Sequence, residues 1–133
     1  MNELEIIGAP QSTFVRSVCI ACEEKGVVYG LTPAMPHSPE VAAIHPLGKI
    51  PVMRHGKFCL FESRAIVSYV DRVFPGSKLF PDDAVECSMI EQWVSVANTT
   101  IIPKMNAYLQ GYFFPRTSDG QPNRAAMNCL MRP

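Results

Sequence analysis

The stretch GKIPVMRHGKFCLFESRAIVSYV, Gly48–Val70, decides how this chain is read. It opens on Gly48-Lys49-Ile50-Pro51, immediately ahead of an apolar run. Pro51 has no N–H to give to a ladder, so it belongs at a strand's entry. Val52–Arg54 and Lys57–Phe61 flank His55-Gly56, which predicts a β-hairpin with His55 in its turn. Ser63 then begins a helix whose apolar positions Ile66, Val67, Val70, Val73 and Phe74 mark one face, and Pro75-Gly76 ends it.

Upstream, Leu4–Ile7 is a short apolar-rich run closed by Gly8-Ala9-Pro10, a strand entering a loop. Val15, Val18, Cys19 and Cys22 follow at i, i+3, i+4 and i+7, one face of a helix that Ser12 or Thr13 can cap. Glu23, Glu24 and Lys25 read as its exposed end, and Gly26 as its stop. Val27–Leu31 is a second strand, and the short crossover favours a parallel pair. The proline-rich segment Thr32–Leu47 reads as a loop with a short helix around Pro39–Ile44, where Ser38 caps and Pro39 starts the first turn. Residues 1–76 thus read β-α-β-α-β-β-α. The fold class is α/β, with the mixed sheet and two-sided helices of a thioredoxin-like domain.

Composition shifts at Ser77–Asp83, SKLFPDD, which reads as a linker over 77–83. From about Ala84 the residues Met89, Ile90, Trp93, Val94, Ala97 and Ile101 recur at helical spacing. Pro103 is expected to kink or break that helix. Tyr108, Tyr112, Phe113 and Phe114 add aromatic mass near its end, Pro115–Asn123 reads as loop, and Arg124–Pro133 barely starts another helix. Residues 84–133 are therefore expected to form part of an all-α second domain.

With 133 residues, the chain accommodates one domain, or a small domain and part of another. A formal net charge of zero, with Lys and Arg scattered, argues against nucleic acid. No apolar stretch approaches the ~20 residues that span a bilayer. The opening MNELEIIGAP lacks a basic start and a long apolar run, so a cytoplasmic protein is expected. Five cysteines at irregular spacing suit reduced thiols better than a disulfide framework. Three scattered histidines give no metal site. His45 reads as a loop residue.

Four local features converge on one ligand. A cis Ile50–Pro51 bond would turn the backbone so that Ile50 offers its N–H and C=O outward; alone, the proline reads as an ordinary trans residue, since only ~5% of X-Pro bonds are cis. Glu62-Ser63 opens a helix, where a carboxylate can rest on free N–H groups and Glu62 can receive an ammonium; alone, Ser63 is simply a cap. Ser12-Thr13 opens the first helix, where a hydroxyl can hydrogen-bond an incoming thiolate or, equally, cap the helix. His37 and Lys49, near the proline-rich loop, can hold a second carboxylate or be solvated surface charges. Cys19-Ile-Ala-Cys22 has the spacing of a redox pair, but it lies about two turns into its helix and on the apolar face, so both cysteines read as core. Trp93 with Met89 reads as packing.

Together these residues resemble the glutathione transferases. GKIPVMRHGKFCLFESRAIVSYV is similar to that family's stretch from its cis-proline through the helix that binds the γ-glutamyl end of glutathione. GAPQSTFVRSVCIACEEKGVVY, Gly8–Tyr29, resembles the opening of the phi-like, serine-type members, and WVSVANTTIIPKMNAYLQGYFF, Trp93–Phe114, the first helix of their second domain. The resemblance implies that Ser12, or its neighbour Thr13, stabilises the glutathione thiolate. It implies that Ile50 pairs by backbone with the cysteinyl unit ahead of a cis Pro51. It places Glu62 and Ser63 at the γ-glutamyl amino and carboxylate groups, with Lys49 and His37 near the glycine carboxylate.

The expected function is conjugation of glutathione, as co-substrate, to a small hydrophobic electrophile by a homodimer. The alternatives are a non-catalytic binding or assembly module, as in translation elongation factor complexes, or a glutathione-dependent peroxidase, isomerase or dehalogenase. The family carries further helices beyond the first of its second domain, and MNCLMRP, Met127–Pro133, does not resemble it. A truncated second domain is therefore expected, with an uncovered apolar face around Trp93 and a tendency to low stability or self-association.

Overall fold

The structure is a computed structural model that describes residues 3–113, 120–124 and 127–128. Phe114, Cys129 and most of the loop and tail read over 115–133 lie outside the described residues. Two compact units divide the chain, Met1–Phe80 and Pro81–Pro133.

The first unit runs β1 (Leu4–Ile7), α1 (Thr13–Glu24), β2 (Tyr29–Thr32), α2 (Pro39–Ala42), β3 (Val52–His55), β4 (Phe58–Phe61) and α3 (Ser63–Val73). The strand order is β2-β1-β3-β4, with β1 parallel to β2 and antiparallel to β3, and β3 antiparallel to β4. This is the thioredoxin-like arrangement read from the sequence. Strand alternation explains the two cores. Leu4, Ile6 and Met53 face Val15, Val18 and Cys22 of α1 and Ile66 and Val70 of α3. Ile7 and Val52 face Val41 of α2 on the other side. Truncating one of these fully buried aliphatics, such as Ile66, costs ~2–5 kcal/mol in such a core.

The structure corrects several local readings. The hairpin turn is Gly56-Lys57, and His55 ends β3, paired with Phe58. Its Nδ1 lies 2.8 Å from the Tyr69 hydroxyl, so His55 joins the hairpin to α3. β2 begins at Tyr29, two residues later than expected, because α1 closes through Lys25 and Gly26 and the Val27 N–H returns to the Cys22 carbonyl at 2.9 Å. Lys25 is not exposed but buried, at 6% accessibility, and donates to Asp71 Oδ1 and to the Ser77 carbonyl, both at 3.0 Å. The Leu79 and Phe80 N–H groups also donate to Asp71, at 2.9 and 3.2 Å, so Ser77–Phe80 is bound to the first unit. The Ser38 hydroxyl makes no cap hydrogen bond; Pro39 alone sets the first turn of α2.

In the second unit, Asp83 caps α4 (Ala84–Val96) by accepting from the Val85 and Glu86 N–H groups at 3.0 and 2.9 Å. Pro103 does not break the helix. A π-helical segment, Ala97–Ile101, precedes α5 (Ile102–Phe113), and the Ile102 N–H reaches back five residues to the Ala97 carbonyl. A proline ring strikes the carbonyl four residues earlier in a regular helix, and widening the preceding turn relieves that collision. Met89 and Trp93 do not pack as core residues: they are 59% and 64% exposed and share a stripe with Val85 and Val96. Among the described residues, no helix is long and apolar enough to cross a membrane.

Candidate functional site

Strand register gathers the candidate residues at one end of the sheet. Val52 pairs with Phe61 across the hairpin, so the two residues before β3 lie beside the two after β4: Ile50-Pro51 next to Glu62-Ser63. Val52 also pairs with Ile7, whose chain continues through Gly8 to Ser12 at the start of α1. Gly8 lets these segments touch. A Cβ there would lie 2.6 Å from Val15 Cγ2 and 3.2 Å from Ile50 Cβ. Ile50, Pro51, Glu62 and Ser63 are thus brought to one end of the sheet by topology, the end at which β1 leads through Gly8 to Ser12.

The Ile50–Pro51 peptide bond is cis. Among the described residues, none takes up the N–H or the C=O of Ile50 in a hydrogen bond. A half-buried residue with both main-chain groups free is an open strand edge one residue long, able to accept an extended peptide.

Ser12 is the N-cap of α1 in an extended conformation, yet its hydroxyl makes no cap hydrogen bond. It is half-buried, whereas Thr13 is exposed. Glu62 is the N-cap of α3 and Ser63 its first helical residue. Glu62 holds φ at +71°, a region that costs a non-glycine residue ~1–3 kcal/mol, and its side chain makes no cap hydrogen bond either. The first turn of α3 therefore keeps its N–H groups and the positive end of its dipole available to an anion.

His37 and Lys49, both exposed, flank Gly48 in space. The His37 N–H donates to the Gly48 carbonyl at 2.8 Å. Gly48 has φ +61°, and a Cβ on it would collide with the His37 ring. Only glycine admits this approach, which sets His37 on the loop that carries Lys49.

Sequence reading missed His45. It lies in a loop, as read, but it is buried there: it is 2% exposed, its Nδ1 accepts the Leu47 N–H at 3.0 Å, and its ring lies 4.5 Å from that of Phe61. Its Nε2 lies 3.4 Å from Glu62 Oε1. The preceding Ile44 and following Pro46 gave no periodic signal, because the burial comes from partners on β4 and beyond.

Cys22 is buried, and burial first, then the Cys19 and Glu23 charges, push its thiol up to about 12. That is the opposite of what a redox pair needs, so the C-x-x-C spacing serves the core.

Comparison with known proteins gives one consistent answer. Residues 6–78 match the family described as glutathione S-transferase, N-terminal domain. The chain is 30% identical over 130 residues to glutathione S-transferase 4 of Zea mays, a match covering 94% of this chain and 58% of that protein. It is 34% identical over 106 residues to elongation factor 1-gamma 3 of Oryza sativa subsp. japonica, covering 76% of this chain and 24% of that one. Its structure resembles poplar glutathione transferase F1 with a TM-score of 0.80 and 27% identity, over 98% of this chain and 63% of that one. The chain spans less than two thirds of each of these relatives.

Proposed function

The chain belongs to the glutathione S-transferase family, and from that membership we propose that its first unit binds glutathione along Ile50 and delivers the thiolate to a small apolar electrophile. The cysteinyl unit of the tripeptide pairs with the free N–H and C=O of Ile50 ahead of Pro51. The γ-glutamyl carboxylate rests on Ser63 and the first turn of α3, and its ammonium on Glu62. Lys49 and His37 face the glycine carboxylate.

Ser12 donates its hydroxyl to the sulfur and favours the thiolate. Each unit of thiol pKa lowered requires ~1.4 kcal/mol, and one charge-assisted hydrogen bond supplies ~1.5–3 kcal/mol. The thiolate then forms an S–C bond to the electrophile. A leaving group departs with its electron pair, or, in addition, the new carbanion takes a proton from solvent. Positioning and thiolate stabilisation carry the rate.

The observation that carries this reading is the Val52–Phe61 pairing, which sets an unpaired peptide edge beside an uncapped helix start. We place the glutathione-binding domain at residues 1–76, a linker at 77–83 and a partial helical domain from 84, in a cytoplasmic homodimer. The experiment is titration of the chain with glutathione by calorimetry, followed by turnover of a chromogenic electrophile by the parent and by Ser12→Ala. Absence of glutathione binding overturns the proposal.

The similarity to elongation factor 1-gamma 3 favours a second reading, a non-catalytic binding module. Retention on immobilised glutathione without any turnover selects it.

A further inference from the structure

His45 sits outside every segment assigned a role above, yet it is among the most buried polar side chains in the described part of the chain. Both ring nitrogens have a polar neighbour. Nδ1 accepts a backbone N–H from Leu47, which requires that nitrogen to be unprotonated, so the neutral ring carries its proton on Nε2. That nitrogen lies 3.4 Å from Glu62 Oε1. The ring is held by Phe61, which lies tilted against it, and by a main chain bonded at both ends. The His45 N–H donates to the Val41 carbonyl at 2.8 Å, and the His45 carbonyl accepts from Gly48 at 2.9 Å.

Glu62 has the opposite character. Its side chain is 63% exposed and makes no cap hydrogen bond, so nothing on its own helix holds it. A long exposed carboxylate loses much of its binding energy to the cost of ordering. We propose that His45 is a positioning residue: its Nε2–H anchors Glu62 Oε1 and leaves Oε2 turned toward a ligand ammonium. The pair works as a buried donor, an exposed carboxylate and an incoming cation in series. The loop Ile44–Leu47 thereby contributes to recognition of an amino group that it does not touch. Contacts of this kind are often long in an unliganded site and shorten when the charge they serve arrives. This inference rests on the glutathione reading of the site.

The test measures calorimetric affinity for glutathione and for its analogue lacking the γ-glutamyl amino group, in the parent, His45→Phe and His45→Gln. Phenylalanine keeps the ring volume against Phe61 and removes both polar atoms; glutamine keeps a donor of similar reach. For glutathione, His45→Phe is expected to bind about tenfold more weakly and His45→Gln within about threefold of the parent, from the ordinary strength of a hydrogen bond to a charged group. For the deaminated analogue, all three are expected to bind alike. An equal loss for both ligands, or no loss, overturns the proposal while leaving the glutathione site standing. Failure of the parent to bind either ligand overturns the site and this assignment with it. The unsubstituted protein offers a check that needs no variant. Nitrogen-15 spectroscopy is expected to find the His45 proton on Nε2, and a proton on Nδ1 contradicts the anchor.

Discussion

Lys25 Nζ and Asp71 Oδ1 meet at 3.0 Å between the end of α1 and the body of α3, with both side chains more than nine-tenths buried. Asp71 accepts from two backbone N–H groups as well. Burial alone would raise its carboxyl; the hydrogen bonds from Leu79, Lys25 and Phe80 and the Lys25 charge outweigh that and hold it below the usual carboxylate range. A carboxyl whose folded value is lowered adds stability above its unfolded value, about 3.9, and that contribution is lost as pH falls below it. Asp71→Asn is expected to cost ~3 kcal/mol at pH 7, the scale for breaking a buried pair. It should also flatten the acid limb of a stability profile followed by urea unfolding. An unchanged urea midpoint contradicts the assignment.

The Ser12 hydroxyl is the group assigned to thiolate stabilisation. Ser12→Ala is expected to lower turnover of a chromogenic electrophile about 10- to 100-fold, the equivalent of one charge-assisted hydrogen bond. Thr13→Ala should leave it within about twofold, since Thr13 is exposed and Ser12 holds the half-buried position. The reverse pattern transfers the role to Thr13.

Cys22, with its thiol raised to about 12, holds roughly one thiolate in ten thousand at pH 8. Cys59 is exposed on β4. Alkylation followed by mass spectrometry is expected to label Cys59 at least ~100-fold faster than Cys22. Comparable rates, or a Cys19–Cys22 disulfide in mild oxidant, reinstate the redox reading of that motif.

The stripe of Val85, Met89, Trp93 and Val96 is exposed along α4. A contiguous apolar patch of this kind favours association. The weight-average mass by light scattering is expected to rise with concentration, and Met89→Lys with Trp93→Lys should lower it toward one chain. Association that is unaffected by both substitutions places the contact elsewhere.

How much of this was legible beforehand depended on the range of the determining interaction. β1, α1, the hairpin and α3 were readable because period-2 and helical apolar spacing, with proline and glycine at the ends, are local signals. The grouping of Ile50, Pro51, Glu62 and Ser63 was an expectation from the family resemblance; a turn at His55-Gly56 would have paired Val52 with Cys59 rather than with Phe61. Lys25 was read as exposed because its partner lies 46 residues away, and nothing near it in sequence signals a buried charge. His45 was read as a loop residue, which it is, but its burial was not legible for the same reason: Phe61 and Glu62 approach it from another element. Pro103 was correctly read as incompatible with a regular helix, but spacing alone did not distinguish a break from a widened turn.

That widened turn has a geometric effect beyond accommodating a proline. An extra residue in one turn sets everything downstream back by about 100° around the axis, relative to regular winding. Leu109 and Tyr112 therefore point in a direction that counting by 3.6 from Trp93 would misassign. Removing one residue between Ala97 and Ile101 would restore ordinary winding and leave the side chains of α5 facing as they do, because the wide turn already absorbs that residue, whereas forcing the same residues into regular winding would swing α5 about its own axis.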